Sequence, residues 1–124
     1  MAREDPQGGQ ATVELVLVLP VVILLALVVA QAAAIGRDQL LVVHAAREAA
    51  RAAAVDPAPG VAQAAARGAA TLDADRLTVS SGDRGGAGSR LTTEVRYRSP
   101  TRVPLVGALL GDVTLSASVT MRVE

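Results

Sequence analysis

Hydrophobic and polar residues follow three different patterns along this chain. Residues 15–35 form an uncharged and almost entirely apolar run, and an alanine-rich segment continues from it to Val55. After Thr71 the apolar positions recur at every second residue in three segments, over residues 76–80, 91–98 and 113–124. A period near 3.6 is typical of helices, and a period of two is typical of half-buried strands. The pattern therefore predicts a long helical region followed by a small β-sheet.

The apolar run from Leu15 to Ile35 predicts a transmembrane helix. About 21 residues extend about 32 Å as a helix, and the hydrocarbon core of a bilayer is about 30 Å thick. A secretory signal would have a basic start and a shorter apolar region before a small-residue cleavage site. The alanines at residues 32–34 imitate such a site, so a cleaved signal and a buried soluble helix are the alternatives. Pro20 permits a kink inside the span.

A second helical segment is predicted to continue the first over residues 37–55, because alanine has the highest helix propensity. Its polar positions lie at i, i+3, i+4 and i+7 and are His44, Arg47, Glu48 and Arg51. We interpret this stripe as a solvated face, since a lone histidine without other ligands nearby does not make a metal site. Turn residues at 56–60 end the helix, and a short alanine-rich helix is predicted over residues 61–71.

Three strands are predicted in the C-terminal half, over residues 76–80, 91–98 and 113–124. In the last one every second residue is apolar, namely Val113, Leu115, Ala117, Val119, Met121 and Val123. Such alternation belongs to an antiparallel sheet with one buried and one wet face, and the alanine-rich helix is the available partner. The expected fold is a membrane-anchored α+β protein, with a sheet of about three strands packed on the continuation of the transmembrane helix.

Two connections in the C-terminal half carry composition signals. Residues 82–89 are rich in glycine, but they lack the Gly-Lys-Ser/Thr ending and the following helix of a phosphate-binding loop. We interpret them as a flexible connection between strands. Residues 105–111 are apolar and carry their own glycines. A short helix tucked under the sheet is favoured there, and an exposed contact patch is the alternative.

Composition narrows the possible functions. The chain has 124 residues, a formal net charge of +0 and no cysteine, so it offers neither disulfides nor thiolate metal ligands. Balanced charge and a single aromatic residue, Tyr97, argue against a nucleic-acid surface. With one histidine and serines only in loops or on wet strand faces, no catalytic constellation is formed. We expect no enzyme activity, no cofactor or metal, no small-molecule substrate and no nucleic-acid partner.

The junction before the apolar run carries the strongest functional signal. Gly9 is followed, five residues on, by Glu14, directly before Leu15. An ionisable residue at the edge of a membrane span is a functional candidate by default. One interpretation is an interfacial carboxylate near a helix N-terminus, where the macrodipole favours negative charge. The other is that cleavage after Gly9 frees an amine on Gln10, which lies on the same helical face as Glu14.

This junction resembles the processing site of type IV prepilins, in which a membrane peptidase cuts after the glycine. Over nearly its whole length, the chain is similar to the TadE-like minor pilins, or pseudopilins, of the tight-adherence pilus system. The similarity rests on the stretch from Gly9 to Pro20, on residues 47–53 and on the last four residues, 121–124. If Gly8 were the cleavage residue, Val13 instead of a glutamate would occupy the fifth position after the cut.

The resemblance implies a domain organisation and a set of partners. Residues 1–9 would be a leader, residues 10–36 the transmembrane helix and residues 37–124 a small extracytoplasmic domain. Glu14 would register an incoming subunit during assembly. The implied partners are membrane lipid, a prepilin peptidase, other pilins and the tight-adherence pilus machine.

Charge around the span favours the opposite orientation. Arg3 is offset by Glu4 and Asp5, whereas several arginines follow the span, so the positive-inside rule favours a cytoplasmic C-terminal part. Three functions therefore stay open. They are a processed minor pilin, an unprocessed single-pass anchor that binds another envelope protein, and a secreted binding domain with a new N-terminus near Ile35.

Overall fold

The computed structural model describes residues 6–124, so residues 1–5 of the predicted leader lie outside the described residues. The elements follow in the order α1 (Pro6–Val55), α2 (Val61–Ala69), a 3-10 turn (Ala74–Arg76), β1 (Leu77–Ser81), β2 (Arg90–Ser99), α3 (Val106–Leu110) and β3 (Val113–Arg122). The two longer helices thus precede the sheet, and the short helix α3 lies between its second and third strands. This is the α+β architecture that the sequence predicted, with one long apolar helix at its start.

Helix α1 is continuous over 50 residues and passes through Pro20. At about 1.5 Å per residue it is about 75 Å long. The predicted transmembrane helix and the alanine-rich helix are therefore one element. It ends at Val55 because Asp56 precedes Pro57, and a residue before proline is driven away from the helical conformation. The Asp56 carboxylate then accepts a hydrogen bond from the Ala58 amide at 2.9 Å, which starts the turn.

The three strands form an antiparallel sheet in the order β1-β2-β3. In the register, Tyr97 of β2 lies between Leu77 and Leu115 of the neighbouring strands. Burial alternates along β2, as expected for a sheet with one covered face. The predicted three-stranded sheet is confirmed, and its strands start or end within two residues of the predicted positions.

The core lies between this sheet and the C-terminal half of α1, from Gln31 to Val55, which we call the upper half. Four residues of α1 are completely buried there, and they are Val42, Ala45, Ala46 and Ala49. They pack against Val95 and Tyr97 of the central strand. Alanine leaves little side chain between helix and sheet, so the two backbones approach closely, while Tyr97 fills the remaining volume. The prediction that the alanine-rich helix is the partner of the sheet is correct.

The glycine-rich connection between β1 and β2 is anchored to the rest of the domain, contrary to the flexible loop that was expected. Arg84 donates hydrogen bonds to the carbonyl groups of Ala53 and Ala54, the latter at 3.1 Å. These carbonyls belong to the last turn of α1, where no intrahelical donor remains and the macrodipole favours a cation. At the other end of the loop, the Gly88 amide donates to the Val123 carbonyl at 2.8 Å.

Helix α3 is only partly tucked in, which corrects the favoured prediction for residues 105–111. Val106 is buried, with 2% of its surface exposed. The three leucines around it point outward, since Leu105 is 70%, Leu109 78% and Leu110 62% exposed. Helix α3 has only five residues, so a single face of it is directed inward, and Val106 is the buried residue on that face. The alternative prediction, an exposed apolar patch, describes this segment.

Candidate membrane and assembly site

The predicted cleavage residues lie in the first turns of α1. Gly8 and Gly9 are both helical, and a Cβ atom added to either would have no neighbour within 4 Å among the described residues. The Thr12 hydroxyl donates to the Gly8 carbonyl at 2.9 Å. Because glycine is less favourable than alanine in a helix by about 1 kcal/mol, two adjacent glycines make this turn easy to unwind. Packing among residues 6–124 therefore places no demand for glycine at these two positions.

Glu14 lies one turn above Gln10, on the same face of α1. Its side chain is exposed, and the flanking Val13 and Leu15 are 59% and 64% exposed. Within residues 7–124, whose side chains the structure describes, Glu14 forms no ion pair. A carboxylate beside an apolar surface is costly unless it reaches water or a partner. Within the part of the chain that the structure describes, Glu14 thus has no oppositely charged partner.

The lower half of α1, which precedes Gln31, exposes a continuous apolar surface. Among the described residues, one helix is long and apolar enough to cross a membrane, and none of its most apolar stretch is buried inside the protein. The exposed residues include Leu17 at 70% and Val21 at 65%. Soluble monomers rarely expose contiguous apolar patches larger than a few hundred Å². This half of α1, including Pro20, therefore needs lipid or another protein around it.

A buried polar cluster marks where the C-terminal domain begins on α1. Asp38 is 0% exposed, and the Ser99 hydroxyl donates to its Oδ2 atom at 2.7 Å. Arg102 pairs with the same oxygen at 3.4 Å, and the Arg102 amide donates to Gln31 Oε1 at 3.3 Å. Ile35, between these positions, packs against the buried core of the domain. The domain therefore contacts α1 from Gln31 upward.

Part of this cluster is recognisable in the sequence. Gln31 is a lone polar residue within the apolar run, and Asp38 lies seven residues later on the same helical face. A buried carboxylate must be paired or hydrogen-bonded. The sequence does not identify the partners, because Ser99 and Arg102 are more than 60 residues away along the chain.

The segment after β2 is also fixed at its other end. The Thr101 hydroxyl donates to the Gly111 carbonyl at 2.5 Å, which closes the loop that carries α3. Arg76 donates to Asp112 Oδ2 at 3.0 Å. This hydrogen bond lowers the pKa of the Asp112 carboxyl. Both ends of the loop are thus held by polar contacts, while its tip is apolar.

The polar stripe on the upper half of α1 faces solvent. His44, Arg47 and Arg51 are exposed and Glu48 is half-buried, as expected for a solvated face. Over residues 6–124 there is no group of three His, Cys, Asp or Glu side chains placed to hold a metal ion.

The described residues define the class of the protein: a candidate membrane helix whose upper half carries a small α+β domain. The family model described as TadE-like protein matches residues 9–51. The resemblance inferred from the sequence is therefore confirmed over this segment, which includes Gly9, Gln10, Glu14 and the entire apolar run. The β-sheet and residues 121–124 lie outside the match. No curated protein and no solved structure matches the chain.

Proposed function

We propose that this protein is a minor pilin or pseudopilin that takes part in assembly of tight-adherence pili. Its lower α1 anchors it in the cell membrane, and the α+β domain lies on the extracytoplasmic side. The observation that carries the proposal is the TadE-like match over residues 9–51, which begins at the glycine of the prepilin-like junction. The apolar surface of α1, unburied within the chain, supports the anchoring.

Processing after Gly9 is the first step of the proposed mechanism. A peptidase must reach the backbone on both sides of the cut, and Gly9 lies in open space at the exposed start of α1. The neighbouring Gly8 weakens the same helical turn. Residues 1–9 would be removed, and Gln10 would become the N-terminus of the mature protein.

The second step gives Glu14 a role in assembly. A new ammonium group on Gln10 would lie at the positive end of the α1 macrodipole, which disfavours it. The Glu14 carboxylate, one turn away, compensates that charge within one chain or between neighbouring subunits. A pair between subunits would set the axial position of the incoming helix, because each carboxylate must lie level with one amine. Glu14 is exposed and forms no ion pair with the residues that the structure describes, so it is available for this contact.

The orientation follows from the cleavage chemistry. Prepilin peptidases act on the cytoplasmic side, so the domain beyond the span would lie outside. The arginines that favour the opposite orientation include Arg47 and Arg51, which belong to the folded domain. Folded domains translocate largely regardless of their charge, since the positive-inside rule describes short loops. The charge pattern is therefore a weaker guide here than the position of the cut.

Intact-mass measurement on membrane-extracted protein tests this proposal. The mature species should begin at Gln10, and Gly9→Val should leave the full-length chain because a branched side chain blocks approach to the cut. Gly8→Val is the matched control, since both glycines are helical and equally unhindered. The control should still be processed.

Two results would contradict the processing step. An unchanged mature mass in Gly9→Val would show that the cut lies elsewhere or does not occur. Equal loss of processing in both variants would show that a stiffer helix, and not the side chain at the cut, is responsible. A new N-terminus near Ile35 would instead indicate a secreted domain.

A further inference from the structure

The apolar tip around α3 faces the membrane-spanning part of α1. Leu105 lines a groove of about 550 Å³ whose other walls all belong to α1. Those walls are Val16, Leu19, Pro20, Ile23, Leu24 and Leu27. The groove therefore lies between the C-terminal domain and the candidate membrane span, and its lining is apolar throughout.

The backbone conformation of the loop fixes the position of Leu105. Its φ angle is 70°, in a region that residues other than glycine rarely adopt. Such a conformation persists only where surrounding contacts impose it. Here the contacts are the buried Val106 on one side and the Arg102 amide bonded to Gln31 on the other. The loop is thus held against α1 with its leucine directed at the groove.

The depth of the tip follows from the helix rise. The Arg102 backbone lies level with Gln31, whereas Leu105 lines one groove with α1 residues between 16 and 27. These residues lie four to fifteen positions below Gln31, which corresponds to about 6–22 Å along α1. The upper edge of the groove therefore lies within the depth of about 5–10 Å to which interfacial apolar segments enter a leaflet. The segment over residues 103–111 carries no charged residue that would oppose insertion.

We propose that residues 103–111 form a membrane wedge, which inserts into the leaflet nearest the C-terminal domain. Lipid acyl chains fill the groove between Leu105 and α1 and cover Leu109 and Leu110. The inference rests on the proposed membrane anchoring of α1, because the same lipid must surround both elements. The hydrocarbon boundary then lies near Gln31, and Ile35 belongs to the folded domain above it.

Lipid is the occupant that the geometry favours. The groove is continuous with the exposed surface of the span, so no other surface separates the two. Polar contacts fasten the loop at the level of Gln31 and Asp38, where the headgroup region would begin. Below that level the wedge presents only apolar side chains. A second copy of the chain is the competing occupant, and the experiment separates the two.

Single-cysteine labelling tests the wedge, because the chain contains no native cysteine. Leu109→Cys carries an environment-sensitive fluorophore, and the full-length protein is reconstituted in phosphatidylcholine vesicles with brominated acyl chains. Leu25→Cys, on the exposed span, is the inserted reference. Leu40→Cys is the matched control, since Leu40 is 73% exposed but lies above the polar cluster. The labels at 25 and 109 should lose most of their fluorescence, and the label at 40 should keep it.

Each of the other labelling results contradicts one part of the proposal: the wedge, the membrane anchor or lipid as the occupant of the groove. Quenching at 25 with full fluorescence at 109 would refute the wedge and leave the anchored helix intact. Fluorescence retained at 25 would refute the membrane anchor, and with it both the wedge and the proposed topology. A label at 109 that is shielded at high protein density and quenched only on dilution into lipid would assign the groove to a second copy of the chain.

Discussion

Asp38→Ala should detach the loop after β2 from α1. The variant removes a carboxylate that is 0% exposed, and it leaves the Ser99 hydroxyl and the Arg102 guanidinium without their acceptor. Loss of a hydrogen bond to a charged group costs about 1.5–3 kcal/mol. The side chain of Arg102 is 44% exposed, so water replaces part of its lost interaction. We expect the free energy of unfolding to fall by about 2–3 kcal/mol.

Tyr97 provides the assay for this prediction. It is the only aromatic residue of the chain and is 2% exposed in the core between sheet and helix. Its fluorescence during urea unfolding of the full chain in detergent micelles therefore follows the C-terminal domain. The transition midpoint should fall in Asp38→Ala, because the midpoint is the free energy of unfolding divided by the denaturant slope.

Two further variants decide whether the reasoning holds. Glu48→Ala removes a half-buried carboxylate from the solvated stripe of the same helix and should change stability by less than about 0.5 kcal/mol. Ser99→Ala should cost about 1 kcal/mol alone and much less in the Asp38→Ala background, because the two residues share one hydrogen bond. Additive losses, or an Asp38→Ala midpoint equal to that of Glu48→Ala, would refute the assigned network.

Two predictions concern the assembly residue and the sheet. Glu14→Ala should still insert and be cut, since removal of a charge eases burial. It should fail to support piliation, because the Gln10 amine loses its partner. Normal piliation in this variant would show that Glu14 is only an interfacial carboxylate. Val119→Asp should cost about 1–3 kcal/mol, because Val119 is half-buried against the core. Ser118→Asp, on the exposed face, should cost little, so limited proteolysis should digest the first variant faster. Equal resistance would mean that the faces of β3 are misassigned.

Local periodicity was sufficient for the main elements of the fold. The apolar run predicts a helix long enough for a membrane whatever surrounds it, because every residue of the run has the same preference. The strict alternation over residues 113–124 likewise identifies the buried face, since Leu115 of β3 and Val123 directly after it are both buried. Alanine at 45, 46 and 49 indicated close packing in advance, since small side chains permit it wherever the partner lies.

The partners of isolated residues were decided only by the tertiary structure. Gln31 and Asp38 are recognisable as polar residues on an otherwise apolar face, but their partners follow β2 and come close only when the sheet docks on α1. Arg84 likewise reaches carbonyls of α1 some 30 residues earlier in the chain.

Residues 105–111 show that the surroundings of an apolar segment likewise do not follow from its sequence. Their composition is equally suited to a protein core and to a lipid leaflet, because both environments favour leucine over water. The structure places the loop beside the candidate span, where lipid is the environment that we propose for it. Sequence alone therefore determined which residues avoid water in this protein, because hydrophobic burial is non-directional and needs no particular partner. The tertiary structure determined what replaces the water, because polar contacts require a particular partner at a particular distance.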